Sequence, residues 1–128
     1  MIRIAVIENE RDAAEMLKIV LSQAAYDTRL FSGGTEFLRS FRRRSFDLIV
    51  LDIGLPEMDG YETFDQIRQT DKDVPVIAFT GYAFPHDRDK IIGRGFAAHI
   101  PKPILDLDEF VNEISRHIQK PRRRLKAS

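Results

Sequence analysis

Polar side chains follow the short apolar runs of this sequence, each at or near the point where a run ends. In chain order these residues are Glu8, Asn9, Asp52, Thr80 and Lys102. Carboxylate and amide oxygens are ligands that suit Mg²⁺, and a carboxylate can also act as a nucleophile. A hydroxyl and an ammonium can stabilise the charge on a transferred phosphoryl group. These residue types predict phosphoryl chemistry centred on Asp52, provided that the fold brings the run ends together.

The apolar runs alternate with helical patterns from one end of the chain to the other. Runs that predict strands lie at 2–7, 28–31, 47–51, 75–79 and 96–100. Unbroken β-branched and leucine runs are typical of strands that are buried on both faces. Five strand–helix units with short connections predict an α/β fold, with an open parallel sheet covered by helices on both faces. Ligands of such sheets bind outside the carboxyl ends of the strands, where the residues named above should meet.

Apolar residues spaced three and four apart predict the buried faces of the helices. They are Ala13, Leu17, Val20, Leu21 and Ala24; Phe37, Leu38 and Phe41; Phe64 and Ile67; Ile91 and Ile92; and Phe110, Val111, Ile114 and Ile118. The last helix is predicted to begin at Asp106, with Glu109 completing a capping box. It should stop near Lys120, because Pro121 cannot continue it. Residues 1–120 are therefore predicted to form one domain and 121–128 a disordered basic tail.

Composition excludes several classes of protein. The chain has 128 residues, with 20 basic and 20 acidic side chains, and this zero formal charge argues against a nucleic-acid binder. It has no cysteine, which excludes disulfides and thiolate metal sites. No apolar run approaches the ~20 residues that span a bilayer, so we expect no membrane segment and a cytoplasmic location.

Two local patterns are given plain interpretations. The stretch 93–98 formally matches G-x-G-x-x-A, but it follows a helix and precedes a strand, the reverse of a dinucleotide site. It is interpreted as a helix stop and a turn. The three arginines at 42–44 are interpreted as a solvated helix end, where cations complement the helix dipole.

Three segments, in this order, resemble the receiver domain of two-component response regulators. The most specific, at 52–60, resembles the family's D-x-x-L-P-x-M-D-G pattern in full. Residues 76–81 resemble its fourth strand with the Thr, and 101–103 resemble its Lys-Pro element. The resemblance runs from about Ile2 to Ile118. It implies a CheY-like, flavodoxin-like fold with five helices and a doubly wound five-stranded parallel sheet in the order 2-1-3-4-5.

The resemblance also implies roles for individual residues. Asp52 would be the phosphoacceptor, and Thr80 and Lys102 would contact the phosphoryl oxygens. The residues that would hold Mg²⁺ are Glu8 through water, Asn9 and Asp52 directly, and Gly54 through its carbonyl. In this family the Lys102–Pro103 bond is typically cis, which proline tolerates.

The partners implied by the resemblance are proteins. A sensor histidine kinase or a histidine phosphotransfer protein would supply the phosphoryl group. A downstream protein would read the change on the surface of the fourth helix, fifth strand and fifth helix. Because no output domain follows the last helix, we expect a stand-alone switch, and not an enzyme in the usual sense. The oligomeric state is open, with a homodimer among the alternatives.

Asn9 departs from the family pattern, which usually has two acids after the first strand. An amide oxygen can bind Mg²⁺ but adds no formal charge, so we expect weaker Mg²⁺ binding. An equally weighted interpretation is that Asn9 caps the first helix. Asn9 also sustains an alternative function, a receiver-like interaction module that works without phosphorylation. A small phosphohydrolase is a third reading, but Ile53 and Gly54 offer no second acid for the leaving group.

His99 is the second departure, since receivers often carry Tyr or Phe three residues before the Lys. An imidazole could rotate as a switch residue and can titrate. The favoured interpretation is nevertheless a half-exposed strand residue, with Tyr82 or Phe84 as other candidates for relaying a shift of Thr80.

Overall fold

Five parallel strands form a single sheet, and five helices cover its two faces. The computed structural model describes residues 1–55, 58–81 and 85–118, with only the backbone of 85 and 86. In chain order the elements are β1 Arg3–Ile7, α1 Arg11–Gln23, β2 Asp27–Phe31, α2 Gly34–Ser40, β3 Leu48–Asp52, α3 Gly60–Thr70, β4 Val76–Thr80, α4 Pro85–Gly93, β5 Ala98–Pro101 and α5 Leu107–Arg116. No helix in the described ranges is long and apolar enough to cross a membrane.

The strand order is β2-β1-β3-β4-β5, which confirms the predicted topology. The order reverses at β1, which pairs with β2 on one side and with β3 on the other. Ile7 of β1 pairs with Leu51 of β3, so the residues that follow them, Glu8 and Asp52, lie side by side. The reversal point of a doubly wound sheet is where ligands bind, and both carboxylates lie there.

Alternation of side chains along the strands divides the core into two apolar clusters. One cluster joins a sheet face to α2, α3 and α4 through Phe37, Phe64, Ile67 and Ile91. The other joins the opposite face to α1 and α5 through Leu17, Leu21, Phe110 and Ile114. Each fully buried side chain of this size contributes about 1.5–3 kcal/mol. Packing on both faces therefore holds the sheet in place, and with it the backbone at the ends of the strands.

The first two helices differ in detail from the prediction. The buried face of α1 includes Ala14 in place of Ala13, and Ala24 lies just past the helix as its C-cap. The α2 helix ends at Ser40, so Phe41 is buried in the connection instead of in the helix. The interpretation of residues 42–44 as a helix end is therefore wrong, because they lie in a turn beyond α2.

The α5 helix begins as predicted, since the Asp106 side chain accepts a hydrogen bond from the Glu109 amide at 3.0 Å. It ends at Arg116, four residues earlier than predicted. The amides of His117 and Ile118 donate to carbonyls three residues back, which tightens the last turn before Pro121 can act. Residues 119–128 lie outside the described part of the chain, so the disordered tail stays a prediction.

Strand bounds shift by one or two residues toward the carboxyl end in most cases. The β3 and β4 strands include Asp52 and Thr80 as their last residues. The β5 strand starts at Ala98 instead of 96, after a turn in which Gly95 adopts φ 109°. This conformation is open to glycine at little strain, and the interpretation of 93–98 as a helix stop and turn is confirmed.

Basic side chains of α4 and of the residue after it contact the ring of Tyr61 in α3. The Lys90 Nζ and the Arg94 Cζ lie 4.7 Å and 4.9 Å from the ring centroid of Tyr61. Arg94 also forms an ion pair with Asp65 of α3 at 3.0 Å. Lys90 of α4 and Arg94, the residue directly after this helix, therefore place two cations beside a side chain near the start of α3.

Candidate functional site

Asp52 is the last residue of β3, whose five residues are all buried. The residue is 5% exposed and lies at the carboxyl edge of the sheet. The Gly54 amide donates to Asp52 Oδ1 at 2.9 Å, and Lys102 Nζ donates to Oδ2 at 3.2 Å. A buried carboxylate that is paired with a cation is a stronger candidate for a functional group than a solvated surface acid.

Glu8 follows β1 and lies beside Asp52 with only 2% of its surface exposed. Its Oε1 accepts a hydrogen bond from Lys102 Nζ at 2.5 Å, and its Oε2 accepts one from the Glu10 amide at 3.1 Å. The single ammonium of Lys102 therefore joins two neighbouring carboxylates. Glu8 and Asp52 precede Lys102 by 94 and 50 positions in the sequence, and the fold brings all three together, as the strand-end pattern predicts.

The pKa values of this group reflect burial opposed by pairing. Burial raises the pKa of Glu8, and the adjacent Asp52 raises it further, which outweighs the lowering effect of Lys102 and of the Glu10 amide. Burial alone would lower the pKa of Lys102, but its hydrogen bond to Glu8 and the charge of Asp52 outweigh it. The pKa of Lys102 is thus above its ordinary value, and the amine stays charged in the site.

Asn9 lies at the entrance of the site, beside both carboxylates. With the amide turned so that its nitrogen faces the acids, it donates to Glu8 Oε2 at 3.2 Å and to Asp52 Oδ2 at 3.3 Å. A half-turn of the amide would present its oxygen to the same place. The N-cap of α1 is Glu10, which makes no side-chain cap bond. The interpretation of Asn9 as a helix cap is therefore wrong, and its amide belongs to the site.

Thr80 and Gly54 frame the acid from the neighbouring strand and the following loop. Thr80 is buried at the end of β4, and its carbonyl accepts a hydrogen bond from the Lys102 amide at 2.8 Å. This bond fixes the start of the lysine segment against β4. Gly54 is exposed, and a Cβ at this position would lie 3.7 Å from Asp52 Oδ1, so a side chain here would contact the acid.

The close approach of α3 to the site depends on Gly60. The N-cap Asp59 accepts a hydrogen bond from the Glu62 amide at 2.9 Å, and the Gly60 amide donates to the Ile53 carbonyl at 2.9 Å. A Cβ on Gly60 would lie 2.5 Å from the Ile53 Cα and 2.8 Å from the Asp52 carbonyl oxygen. Only glycine lets the helix start pack directly behind the acid. Pro56 and Glu57 of the same motif lie outside the described residues.

One side chain at the site was missed by the sequence reasoning. Phe79 pairs in register with Asp52, and its ring centroid lies 4.8 Å from Lys102 Nζ. The available signal was the position of Phe79, directly before Thr80 at the end of a strand. Assigning Phe79 to the site from this signal would have required the register between β3 and β4, which the residue types do not specify.

His99 lies in β5 and is half-buried, which confirms its interpretation as a partly exposed strand residue. It lines a cavity of about 370 Å³, together with Arg88 of α4 and Phe110 and Glu113 of α5. Its role as a switch residue stays a prediction. The alternative relay residues Tyr82 and Phe84 lie outside the described part of the chain. The Lys102–Pro103 bond is cis, as expected.

The donor set at this edge fits a hard divalent cation. It offers two carboxylates from Glu8 and Asp52 and an amide group from Asn9, and oxygen donors of this kind suit Mg²⁺. Within the described ranges there is no group of three or more His, Cys, Asp or Glu placed to hold a metal ion. The acidic part of the set is thus two carboxylates, which Lys102 also contacts, so a cation would compete with the lysine for them.

The sequence matches the family profile of the response regulator receiver domain over residues 4–115. It is 31% identical over 112 residues to the response regulator MprA of Mycobacterium leprae. This aligned region covers 88% of the present chain and 49% of MprA. The chain thus spans about half the length of that curated relative.

Solved structures show the same fold. The non-phosphorylated HemR receiver domain of Leptospira biflexa has a TM-score of 0.86 and 31% identity, covering 98% of this chain and all of that one. The response regulator TrrA of Thermotoga maritima, in complex with Mg²⁺ and BeF, has a TM-score of 0.79 and 28% identity, covering 91% and 99%. The family match covers most of the chain, and this chain belongs to the response regulator receiver domains of two-component signalling systems.

Proposed function

We propose that Asp52 accepts a phosphoryl group in a Mg²⁺-dependent reaction and that this modification switches a protein-interaction surface. The observation that carries the proposal is the juxtaposition of Asp52 and Glu8, both buried, with one lysine ammonium at the reversal point of the sheet. Thr80 ends the adjacent strand, one residue beyond the register partner of Asp52. Burying a carboxylate pair with one cation carries a desolvation cost, and such a group is a candidate for a reaction or a binding event.

The proposed donor is a phosphohistidine of a sensor histidine kinase or of a histidine phosphotransfer protein. An Asp52 carboxylate oxygen forms a bond to phosphorus while the P–N bond of the donor breaks, and the donor nitrogen keeps the electron pair. Lys102, already within hydrogen-bond distance of Asp52, neutralises charge on the phosphoryl oxygens. The Thr80 hydroxyl, at the end of the next strand, would donate a hydrogen bond to one of them.

The cation site consists of Glu8, Asn9, Asp52 and the Gly54 carbonyl. A bound Mg²⁺ would neutralise the charge that develops as the phosphoryl group transfers. Asn9 supplies an uncharged ligand where two acids are usual, so Mg²⁺ binding should be weaker than in a site with a third carboxylate. Since Lys102 contacts both acids, it must give up part of this pairing when the site is filled.

The output surface is proposed to be the face formed by α4, β5 and α5. His99 and the cavity beside it lie on this face, next to the Lys102 segment. A downstream protein, or a second copy of this chain, would bind there after phosphorylation. The chain itself would be a signalling domain that accepts and loses a phosphoryl group, and not a conventional enzyme.

The test is incubation with a small phosphodonor and Mg²⁺, followed by intact mass measurement, with Asp52→Asn as the matched variant. An adduct of ~80 Da on the wild type alone is the expected result, because only the carboxylate can form the acyl phosphate. An equal adduct on Asp52→Asn would move the acceptor elsewhere. No adduct at any Mg²⁺ concentration would favour the phosphorylation-independent interaction module.

A further inference from the structure

Phe79 lies on β4, between the strand that carries the acid and the strand that precedes the lysine of the site. In a parallel sheet, residues paired in register carry their side chains on the same face. Asp52 of β3 pairs with Phe79 of β4, and Phe79 pairs with Ile100 of β5. Lys102 follows Ile100 by two residues, which returns its side chain to that face.

This arrangement forces the lysine side chain across β4. Neighbouring strands are about 4.8 Å apart, so a side chain from the end of β5 must span roughly twice that distance to meet Asp52 in β3. Lys102 reaches still farther, since it also bonds Glu8 at the end of β1. The side chain that occupies β4 at this level is Phe79, and the ammonium lies over its ring at 4.8 Å.

The ring is a fixed support. Phe79 is 2% exposed and belongs to the apolar cluster that joins the sheet to α1 and α5. A side chain packed at this density cannot turn away without opening a cavity. A cation within about 6 Å of an aromatic centroid is attracted to the ring face, and the attraction is larger where the cation is partly removed from water.

The ring differs from the other contacts of the ammonium in one functional respect. Lys102 Nζ donates hydrogen bonds to carboxylate oxygens of Glu8 and Asp52. These are the groups that the proposed function assigns to the cation and to the phosphoryl group. The ring competes for neither, so it keeps its attraction for the ammonium when the carboxylates are engaged.

We propose that Phe79 is a positioning residue, whose ring holds the Lys102 ammonium over Asp52 during phosphoryl transfer. This inference rests on the proposed function and adds a residue to which no chemistry has been assigned. The competing explanation is that Phe79 only fills the core. Only the positioning role depends on the electron density of the ring face. Variants that change this density while keeping the side-chain volume therefore distinguish the two explanations.

Four variants serve the test. Phe79→Leu removes the ring, Phe79→Tyr keeps it, and 3,5-difluorophenylalanine at position 79 keeps its shape while withdrawing electron density from its face. Ile77→Val is the control for core packing, because Ile77 is fully buried two residues earlier on the same strand and face. Urea unfolding of each protein gives the fraction folded at the assay temperature.

The first measurement is the NMR shift of the Lys102 ε-methylene in the unphosphorylated full chain. A ring beneath the ammonium shifts these protons upfield, and the shift should persist in Phe79→Tyr and Ile77→Val but vanish in Phe79→Leu. An unchanged shift in Phe79→Leu would overturn the contact itself. This measurement does not depend on any phosphorylation.

The second measurement is the initial phosphorylation rate with a small phosphodonor at saturating Mg²⁺, per folded molecule. We expect Phe79→Leu to be about fivefold slower and the difluorinated protein about twofold slower, with Phe79→Tyr and Ile77→Val close to wild type. Equal rates for Phe79→Leu and Ile77→Val would overturn the positioning role. If Phe79→Leu does not fold, the difluorinated protein decides, and a wild-type rate there overturns the proposal. An unreactive wild type would instead count against the proposed function.

Discussion

The two edges of the sheet each bury a pair of acids, but they satisfy them differently. At the carboxyl edge, Glu8 and Asp52 share the side chain of Lys102. At the amino edge, Asp47 and Asp71 are equally buried, at 2% and 1% exposure, and accept hydrogen bonds from backbone amides. Burial of a carboxylate is therefore not what distinguishes the candidate site from the rest of the molecule.

The amino edge is built as a structural clamp. Asp71 Oδ2 accepts from the Arg44 amide at 2.9 Å, and its Oδ1 accepts from the amides of Asp73 and Val74 at 3.1 Å each. This side chain ties the connection after α2 to the connection before β4. Backbone amides cannot leave without unfolding the segment that carries them, so the clamp has one stable arrangement.

The carboxyl edge can change partners. A lysine ammonium on a four-carbon chain can move by several ångströms while the backbone stays in place. Glu8 and Asp52 can thus exchange part of their bonding to Lys102 for another cation. The comparison teaches that the kind of partner, and not the depth of burial, separates a reactive acid from a structural one.

Asp71→Ala should give the largest effect on stability. It leaves three backbone amides without this acceptor, and we expect the free energy of unfolding in urea to fall by about 3 kcal/mol. The phosphorylation rate per folded molecule should stay the same. Asp73→Ala, which removes an exposed acid from the same connection, is the control and should cost little. A lost phosphorylation rate in folded Asp71→Ala would break the distinction between the two edges.

Lys102→Met should destabilise the carboxyl edge by about 2 kcal/mol near neutral pH. It leaves two adjacent buried carboxylates without their shared cation. Buried charge that has lost its counterion is strongly destabilising. The double variant Lys102→Met with Glu8→Gln should recover most of this loss, because it removes one of the two like charges. Chemical denaturation of the set measures both. If the double variant were no more stable than Lys102→Met, repulsion would not be the cause.

Asn9→Asp should tighten Mg²⁺ binding about tenfold, because a carboxylate replaces a neutral amide beside Glu8 and Asp52. Calorimetric titration of the unphosphorylated protein measures the affinity directly. Glu10→Gln changes a neighbouring charge at the N-cap of α1 and is the control, with little expected change. An unaltered affinity in Asn9→Asp would show that residue 9 is not a ligand.

Glu8→Gln should change the pH dependence of stability by the smallest amount, about 1 kcal/mol or less. The pKa of Glu8 is raised in the folded protein above its ordinary 4.5. The folded state therefore binds the proton more tightly, and this group loses stability as the pH rises from about 4.5 through the folded pKa. Urea unfolding across this pH window measures the free energy of unfolding of both proteins. The stability of the wild type relative to Glu8→Gln should fall as the pH rises. Parallel curves would contradict the raised pKa.

The sequence was enough to predict most of the fold and the members of the candidate site. Apolar runs with β-branched residues mark buried strands, and the carboxyl ends of parallel strands meet at one edge, which brings Asp52 and Lys102 together. It could not give Phe79 its place beneath Lys102, because that depends on strand register. The contact between Asp71 and Arg44 joins two irregular connections 27 residues apart. No periodic pattern encodes such a contact, nor the early ends of α2 and α5, which are set by local tertiary packing.

The contact of α4 with Tyr61 gives this protein a built-in optical reporter. The chain has no tryptophan and three tyrosines, so tyrosine emission is not masked by energy transfer to an indole. The Tyr61 ring contacts Lys90 of α4, a helix of the proposed output face, and Arg94 directly after it. A movement of α4 away from α3 would change the surroundings of this fluorophore directly. Tyrosine fluorescence would thus report a change at the proposed output face in real time, without a dye and without altering the sequence.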